Sequence, residues 1–310
     1  MNSDDPVLSW LLSGDVAIQY QVHRDLLGED RIDLQERITT EGWGQRFLEH
    51  RDPTGGWGQR FYQPKWTSSH YTLLDLKMLE PVRNHPLIRE SIHKITKEEK
   101  GDDGGIDPSR TIGKSDVCVN GMFLSYACYF GEPEKNLCSI IDFILDQVMT
   151  DGGFNCRKNR SGARHSSLHS TLSVLEGILE YEKNGYTYRL DELRAAAASS
   201  REFILAHRLY RSSRTGEVIR PEFLRIPYPP RWKYNILRCL DYFRAAGVPY
   251  DDRMADALEV LVSKRLGDGC WPLQAAHPGQ VHFRMEEPRL PSRWNTLIAL
   301  RVLKTYGEGF

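Results

Sequence analysis

A glycine-rich turn followed at once by an apolar or aromatic residue recurs along this chain, and only a fold built from similar units satisfies such recurrence. Gly55-Gly56-Trp57 leads to Thr67-Ser68-Ser69-His70-Tyr71-Thr72-Leu73-Leu74. Gly104-Gly105-Ile106 leads to Ser115-Asp116-Val117-Cys118-Val119-Asn120, and Gly152-Gly153-Phe154 to Ser166-Ser167-Leu168-His169-Ser170-Thr171-Leu172. Gly269-Cys270-Trp271 leads to Pro291-Ser292-Arg293-Trp294-Asn295-Thr296. The spacing is about 49 residues from Gly55 to Gly104 and about 48 from Gly104 to Gly152, then roughly twice a slightly longer period. Pro229-Pro230-Arg231-Trp232, running into Tyr234, is the natural degenerate copy in that gap.

Each copy reads as two helices. In the third, Ser166 or Ser167 is placed as an N-cap before Leu172, Val174, Leu175, Ile178 and Leu179, and Gly185 stops the run. Amphipathic partners are expected at 87–97, 137–147 and 254–262, whereas the helices that follow the turns are apolar nearly all round. No period-two alternation is sustained, so no strand is expected. Trp57, Phe154 and Trp271, each just after a turn, should be buried and pin neighbouring helices. Asp103 stands where Asp151 and Asp268 stand, which makes it a turn residue. Pro221–Pro230 reads as a surface crossover. One oddity fits no repeat: Gly42-Trp43-Gly44-Gln45-Arg46-Phe47 and Gly56-Trp57-Gly58-Gln59-Arg60-Phe61 are the same hexapeptide.

A net charge of -1 on 310 residues offers no basic stripe for nucleic acid. Neither a secretory leader nor a membrane-spanning run is read in the sequence, so a cytoplasmic location is expected. The six cysteines form no CxxC pair and are expected as buried thiols, without a disulfide framework.

Helical pairs joined through Gly-Gly-Trp or Asp-Gly-Gly-Phe turns, each followed by a Ser-Ser…Thr-Leu helix, resemble the terpenoid cyclase and protein prenyltransferase superfamily. The resemblance implies an all-α fold, an α/α toroid spanning 1–310 as a single domain, with residues 1–50 as an N-terminal helical segment closing the ring. It implies a central cavity for an apolar or isoprenoid-like molecule. The Asp-x-Asp-Asp acid of protonating cyclases is missing; the nearest text is Asp102-Asp103-Gly104-Gly105-Ile106-Asp107. Asp116, Cys118 and His169 reproduce the residue types of the prenyltransferase zinc site, out of register. The expectation is a pocket without cofactor, zinc at those three residues being the alternative. A prenyltransferase-like chain would also need a protein partner.

The site is expected where the helices after the turns begin. His70, His169 and Asp116 are the candidate catalytic groups there. Trp66, Tyr71, Trp232, Tyr234, Arg293 and Trp294 are candidates for substrate contact, aromatic faces for an apolar ligand and Arg293 for an anion. His165 and His169 could share a helix face near Cys156, or His165 could lie in the preceding loop. Glu286 and Glu287 read as solvated. Two rival readings remain: a carbohydrate-active α/α-barrel enzyme, with aromatic residues against sugar rings, and a non-catalytic scaffold that binds a protein.

Overall fold

A computed structural model describes residues 5–109, 113–274 and 277–307. The helices are α1 (Pro6–Leu12), α2 (Val16–Val22), α3 (Ile32–Arg37), α4 (Gly42–Glu49), α5 (Ser69–Leu79), α6 (Pro86–Glu98) and α7 (Val117–Tyr129). They continue as α8 (Glu134–Asp146), α9 (Arg157–Ser161), α10 (Leu168–Lys183), α11 (Leu190–Ala206), α12 (Ile236–Ala245), α13 (Ala255–Ser263) and α14 (Arg293–Tyr306). The helices expected at 87–97, 137–147 and 254–262 are α6, α8 and α13. One correction is small: β1 (Trp271–Pro272) pairs antiparallel with β2 (Pro291–Ser292).

The chain divides into two compact units, Met1–His50 with Met78–Val82 and Leu205–Phe310, and Arg51–Lys77 with Arg83–Ile204. In the first unit, α14 packs on α12 and α2. Arg301 of α14 ties the three together, bonding Gln21 of α2 at 3.1 Å, Asp25 just beyond it at 2.9 Å and both carboxylate oxygens of Asp241 of α12. In the second unit, α7 is buried on nearly every side, while α6 and α8 bury one face. Its partner α10 comes so close that a Cβ built on Gly177 would lie 2.4 Å from the Gly121 carbonyl oxygen. Only glycine permits that approach.

The repeat has one mechanism in both units. The residue after each turn donates its backbone N–H to a polar side chain of the following helix. Trp57 donates to Ser69 Oγ at 2.9 Å, Ile106 to Asn120 Oδ1 at 2.7 Å, Phe154 to Thr171 Oγ1 at 3.0 Å and Trp271 to Thr296 Oγ1 at 2.9 Å. A buried N–H left without an acceptor costs about 1–3 kcal/mol, so the polar cluster and the turn come as a set. Trp57, Phe154 and Trp271 are fully buried, as their place after the turns predicts. The N-cap expected at Ser166 or Ser167 falls on Ser167, without a side-chain cap bond, and Ser166 is bound by Asp151. Asp103 grips Ser115 in the same way, at 2.7 and 2.8 Å, confirming it as a turn residue.

Candidate functional site

A cleft of about 730 Å³ opens in the second unit. Its floor is the turn 52–63, shaped by Gly58, whose φ of +73° and crowding by the Gln63 and Thr67 carbonyls exclude a side chain. The N–H groups of Gln59 and Arg60 both point to the Gln63 carbonyl at 2.9 Å. That loop places Gln59, Arg60, Phe61, Tyr62 and Gln63 on the lining, which Lys94, Glu98 and Glu99 of α6 and its C-terminal end complete, with Ser109 and Arg160. Arg60 is exposed and makes no ion pair among the described residues. Lys94 Nζ donates to the Thr54 carbonyl at 2.8 Å.

Behind the loop lies an aromatic cluster. The Tyr62 and Tyr71 hydroxyls are 2.9 Å apart. His70 is enclosed by the rings of Phe61, Tyr62, Tyr71 and Tyr126, with centroids 4.9 to 5.8 Å away. Its Nδ1 meets the Tyr126 hydroxyl at 3.3 Å, and its buried Nε2 has no partner among the described residues. Burial, helped by the Lys65 charge, drives the imidazole pKa down to about 3, so the ring is neutral. Burial also pushes the Tyr62 hydroxyl up to about 12, against the opposing bond from Tyr71. Trp66 lies edge-on to Tyr71 at 4.8 Å.

Asp116, at the N-cap of α7, spends both carboxylate oxygens on Arg160, Nε lying 2.6 Å from Oδ1. Burial raises its pKa, and the guanidinium opposes the rise. Cys118 is paired with Cys156 in a disulfide. These placements leave no zinc set: Asp116 faces a cation, and Cys118 is bonded to another sulfur. No group of three or more metal-ligating side chains gathers among the described residues. The expectation of cysteines without a disulfide is likewise corrected for Cys118 and Cys156, while Cys128, Cys138, Cys239 and Cys270 form no disulfide among the described residues. His169 is half-buried in the first turn of α10, and its carbonyl accepts from the Ser173 hydroxyl at 3.1 Å. His165 is exposed in the loop before α10.

The remaining candidates belong to the first unit. Trp294 is stacked on Tyr228 at 4.9 Å and lies 6.1 Å from Trp43. Tyr234 is buried with its hydroxyl on the Leu209 carbonyl, and Trp232 is half-buried with Lys233 over its ring. Arg293 is committed to structure, donating to the Trp10 carbonyl at 3.1 Å and to Ser13 Oγ at 3.3 Å and lying over the Trp10 ring. Glu286 is not simply solvated: it accepts the Arg293 N–H at 2.6 Å and so caps α14.

Sequence reasoning missed Arg60, Tyr62 and Arg160. Arg60 and Tyr62 sit in the loop between turn and helix and Arg160 on the short α9, none on the helices that open with the Ser/Thr clusters, and the only signal, for the first two, was the clustering of Arg, Gln and Tyr between Gly58 and Gln63.

The sequence matches no protein-family model and no curated protein. Among solved structures it is similar to a polysaccharide lyase, with a TM-score of 0.51 and 13% identity over 96% of this chain and 91% of the other. That likeness supports the all-α, toroid-type fold class expected from the repeats. It overturns the terpenoid cyclase and prenyltransferase resemblance, and with it the apolar, isoprenoid-like ligand. The turn grammar belongs to helical-pair folds at large and does not single out isoprenoid chemistry. No helix among the described residues is long and apolar enough to cross a membrane.

Proposed function

We propose that the chain is a carbohydrate-active enzyme whose second-unit cleft takes an acidic polysaccharide and breaks it by β-elimination. The observation that carries this reading is the cleft lining, to which Tyr62, the cations Arg60 and Arg160 and the acidic residues Glu98 and Glu99 all contribute. The likeness to a polysaccharide lyase supports it at the level of fold.

Elimination at a uronate makes three demands. A cation must offset the sugar carboxylate so that the adjacent C–H acidifies, a base must take that proton, and an acid must protonate the departing glycosidic oxygen. Arg60 and Arg160 suit the first. Tyr62, protonated throughout the neutral range, suits the third. Glu98 or Glu99 supplies the base. The C–H electrons become the new C=C bond, the C–O bond breaks, and oxygen leaves with the Tyr62 proton. His70 is assigned a supporting role: a neutral ring behind Tyr62 adds no charge to the wall.

The test is incubation with a panel of acidic polysaccharides, reading both the ultraviolet absorbance of unsaturated uronate and new reducing ends. Unsaturated product is expected, and Tyr62→Phe should lower kcat by roughly 10²–10⁴-fold. Reducing ends without the chromophore would replace elimination by hydrolysis on the cleft carboxylates. Silence on every polysaccharide, neutral ones included, would refute the carbohydrate reading.

A further inference from the structure

The segment that carries Arg160 is held at several points, on the start of α7, on Ser170 of α10 and on the Asp146 and Val148 carbonyls. Cys156, just before α9, is bonded to Cys118, with the Cα atoms 6.0 Å apart. That spacing is ordinary for a disulfide. Asn159 Nδ2 donates to the Ser115 carbonyl at 3.1 Å, and Arg160 clasps Asp116. Lys158 Nζ donates to the Asp146 carbonyl at 2.6 Å. The five-residue α9 buries none of its own side chains, so apolar packing does not keep it in place. Covalent and polar ties do, and Arg160 at the end of them lines the cleft.

We propose that Cys118–Cys156 is a thiol–disulfide modification site that positions Arg160, so that its redox state sets the affinity of the cleft for acidic sugars. Asp116 is the positioning residue that completes the hold. The inference rests on the acidic-polysaccharide reading for its ligand. A dithiol reductant carries out the release: its two S–H groups become a disulfide, the Cys118–Cys156 bond breaks, and each cysteine sulfur takes one hydrogen. The segment then keeps only hydrogen bonds and the Arg160–Asp116 ion pair, in which the carboxylate is buried but the guanidinium is half-exposed.

The full chain, purified without reductant, is first alkylated in denaturant and weighed. Cys128, Cys138, Cys239 and Cys270 should react, and all six cysteines only after dithiol treatment. Six modified cysteines before reduction would overturn the proposal. Native trypsin nicking at Arg157, Lys158 and Arg160 should accelerate roughly tenfold on reduction, as a loosened segment opens more often. An unchanged rate would overturn the tether. Binding of an oligouronate should weaken about tenfold on reduction in the wild type but not in Arg160→Ala, the pattern of two coupled sites. Equal weakening in both, or none in either, would overturn the positioning of Arg160. Asp116→Asn should weaken oligouronate binding and lower kcat in the wild-type background but add little in Arg160→Ala, a pattern that simple loss of folded protein would not produce. Cys156→Ser should mimic reduction, and if that variant fails to fold, dithiol-treated wild type stands in its place. Should no oligouronate bind the oxidised protein, the polysaccharide reading and the claim about affinity both fall, while nicking still decides the tether.

Discussion

Replacing Gly177 by alanine sets two well-characterised effects against each other. In a helix interior alanine is favoured over glycine by about 0.8–1.0 kcal/mol, so propensity alone predicts a stabler protein. The packing predicts the reverse. The new Cβ would sit 2.4 Å from the Gly121 oxygen, 3.1 Å from its carbonyl carbon and 3.2 Å from its Cα, where ordinary contact begins at 3.4 Å. Every one of those atoms is backbone, so no rotamer change relieves the clash, and α7 and α10 must part by about 1 Å. Overpacking of this sort costs roughly 1–3 kcal/mol, and the rigid neighbour puts this case in the upper half of the range. The net expectation is destabilisation by about 1–2 kcal/mol, a fall in Tm of roughly 2–8 °C for a unit of this size. Thermal and urea unfolding of Gly177→Ala beside wild type measure it. A Tm equal to or above wild type would show that the helices yield freely and that the close approach is not needed. Because α7 carries Asp116, the same variant should also weaken the hold on Arg160.

Arg301→Ala should destabilise by about 1.5–3 kcal/mol, since it removes charged bonds to Asp25 and Asp241 while each keeps a second guanidinium, Arg24 or Arg244, and equilibrium unfolding checks it. Burial tends to raise the Asp25 carboxyl, but the bonds from Arg24 and Arg301 more than offset it and hold the pKa at about 2. A depressed carboxylate stabilises above its unfolded value, so stability should drop as pH falls from the ordinary 3.8 toward 2, and Arg301→Ala should flatten that slope. For His70 the folded pKa of about 3 lies below the ordinary 6.5, so its contribution is full above pH 6.5 and is lost progressively as pH falls toward 3; His70→Asn should remove that part of the urea-midpoint profile. Phe154→Ala, at a fully buried position, should cost about 3–5 kcal/mol.

The helical pairs were readable because their information is local and repeated. A period near 50 residues, glycine where φ must be positive and apolar spacing along each helix are properties of the text itself. The buried Trp57, Phe154 and Trp271 followed from the same grammar. The cleft was harder to see, because Tyr62, Arg60 and Arg160 owe their meeting to loops whose courses depend on distant acceptors. His70, Tyr71 and Asp116 were reached by aligning helix starts; all three fall in the second unit, with His70 against Tyr71, whereas Tyr234 and Trp294, picked the same way, belong to the first. Cys118 and Asp116 illustrate the opposite failure. Their residue types suit zinc, yet each had a nearer partner, Cys156 or Arg160, some 40 residues along the chain, and residue type alone does not rank partners.

The duplicated hexapeptide separates local from non-local information most sharply. Gly42-Trp43-Gly44-Gln45-Arg46-Phe47 opens α4, whereas Gly56-Trp57-Gly58-Gln59-Arg60-Phe61 forms the floor of the cleft. Intrinsic propensity is the same in both copies, so the difference lies in who accepts their N–H groups. At the first copy the Asp15 carboxylate accepts the Trp43 N–H at 2.8 Å while also capping α2 through Ala17, and a helix can begin. At the second, Asp52 takes the Gly56 N–H, Ser69 takes that of Trp57, and the Gln63 carbonyl takes those of Gln59 and Arg60, so the bonds a helix would need are already spent. The outcome reaches the side chains. In the helical copy Phe47 packs on Phe283 at 4.6 Å and Arg46 covers that ring, while in the loop copy Phe61 turns toward His70 and Arg60 is left to the cleft. One string of six residues therefore supplies packing in one unit and a candidate carboxylate-binding cation in the other. The choice is made by Asp15 and Ser69, neither of which lies within the string.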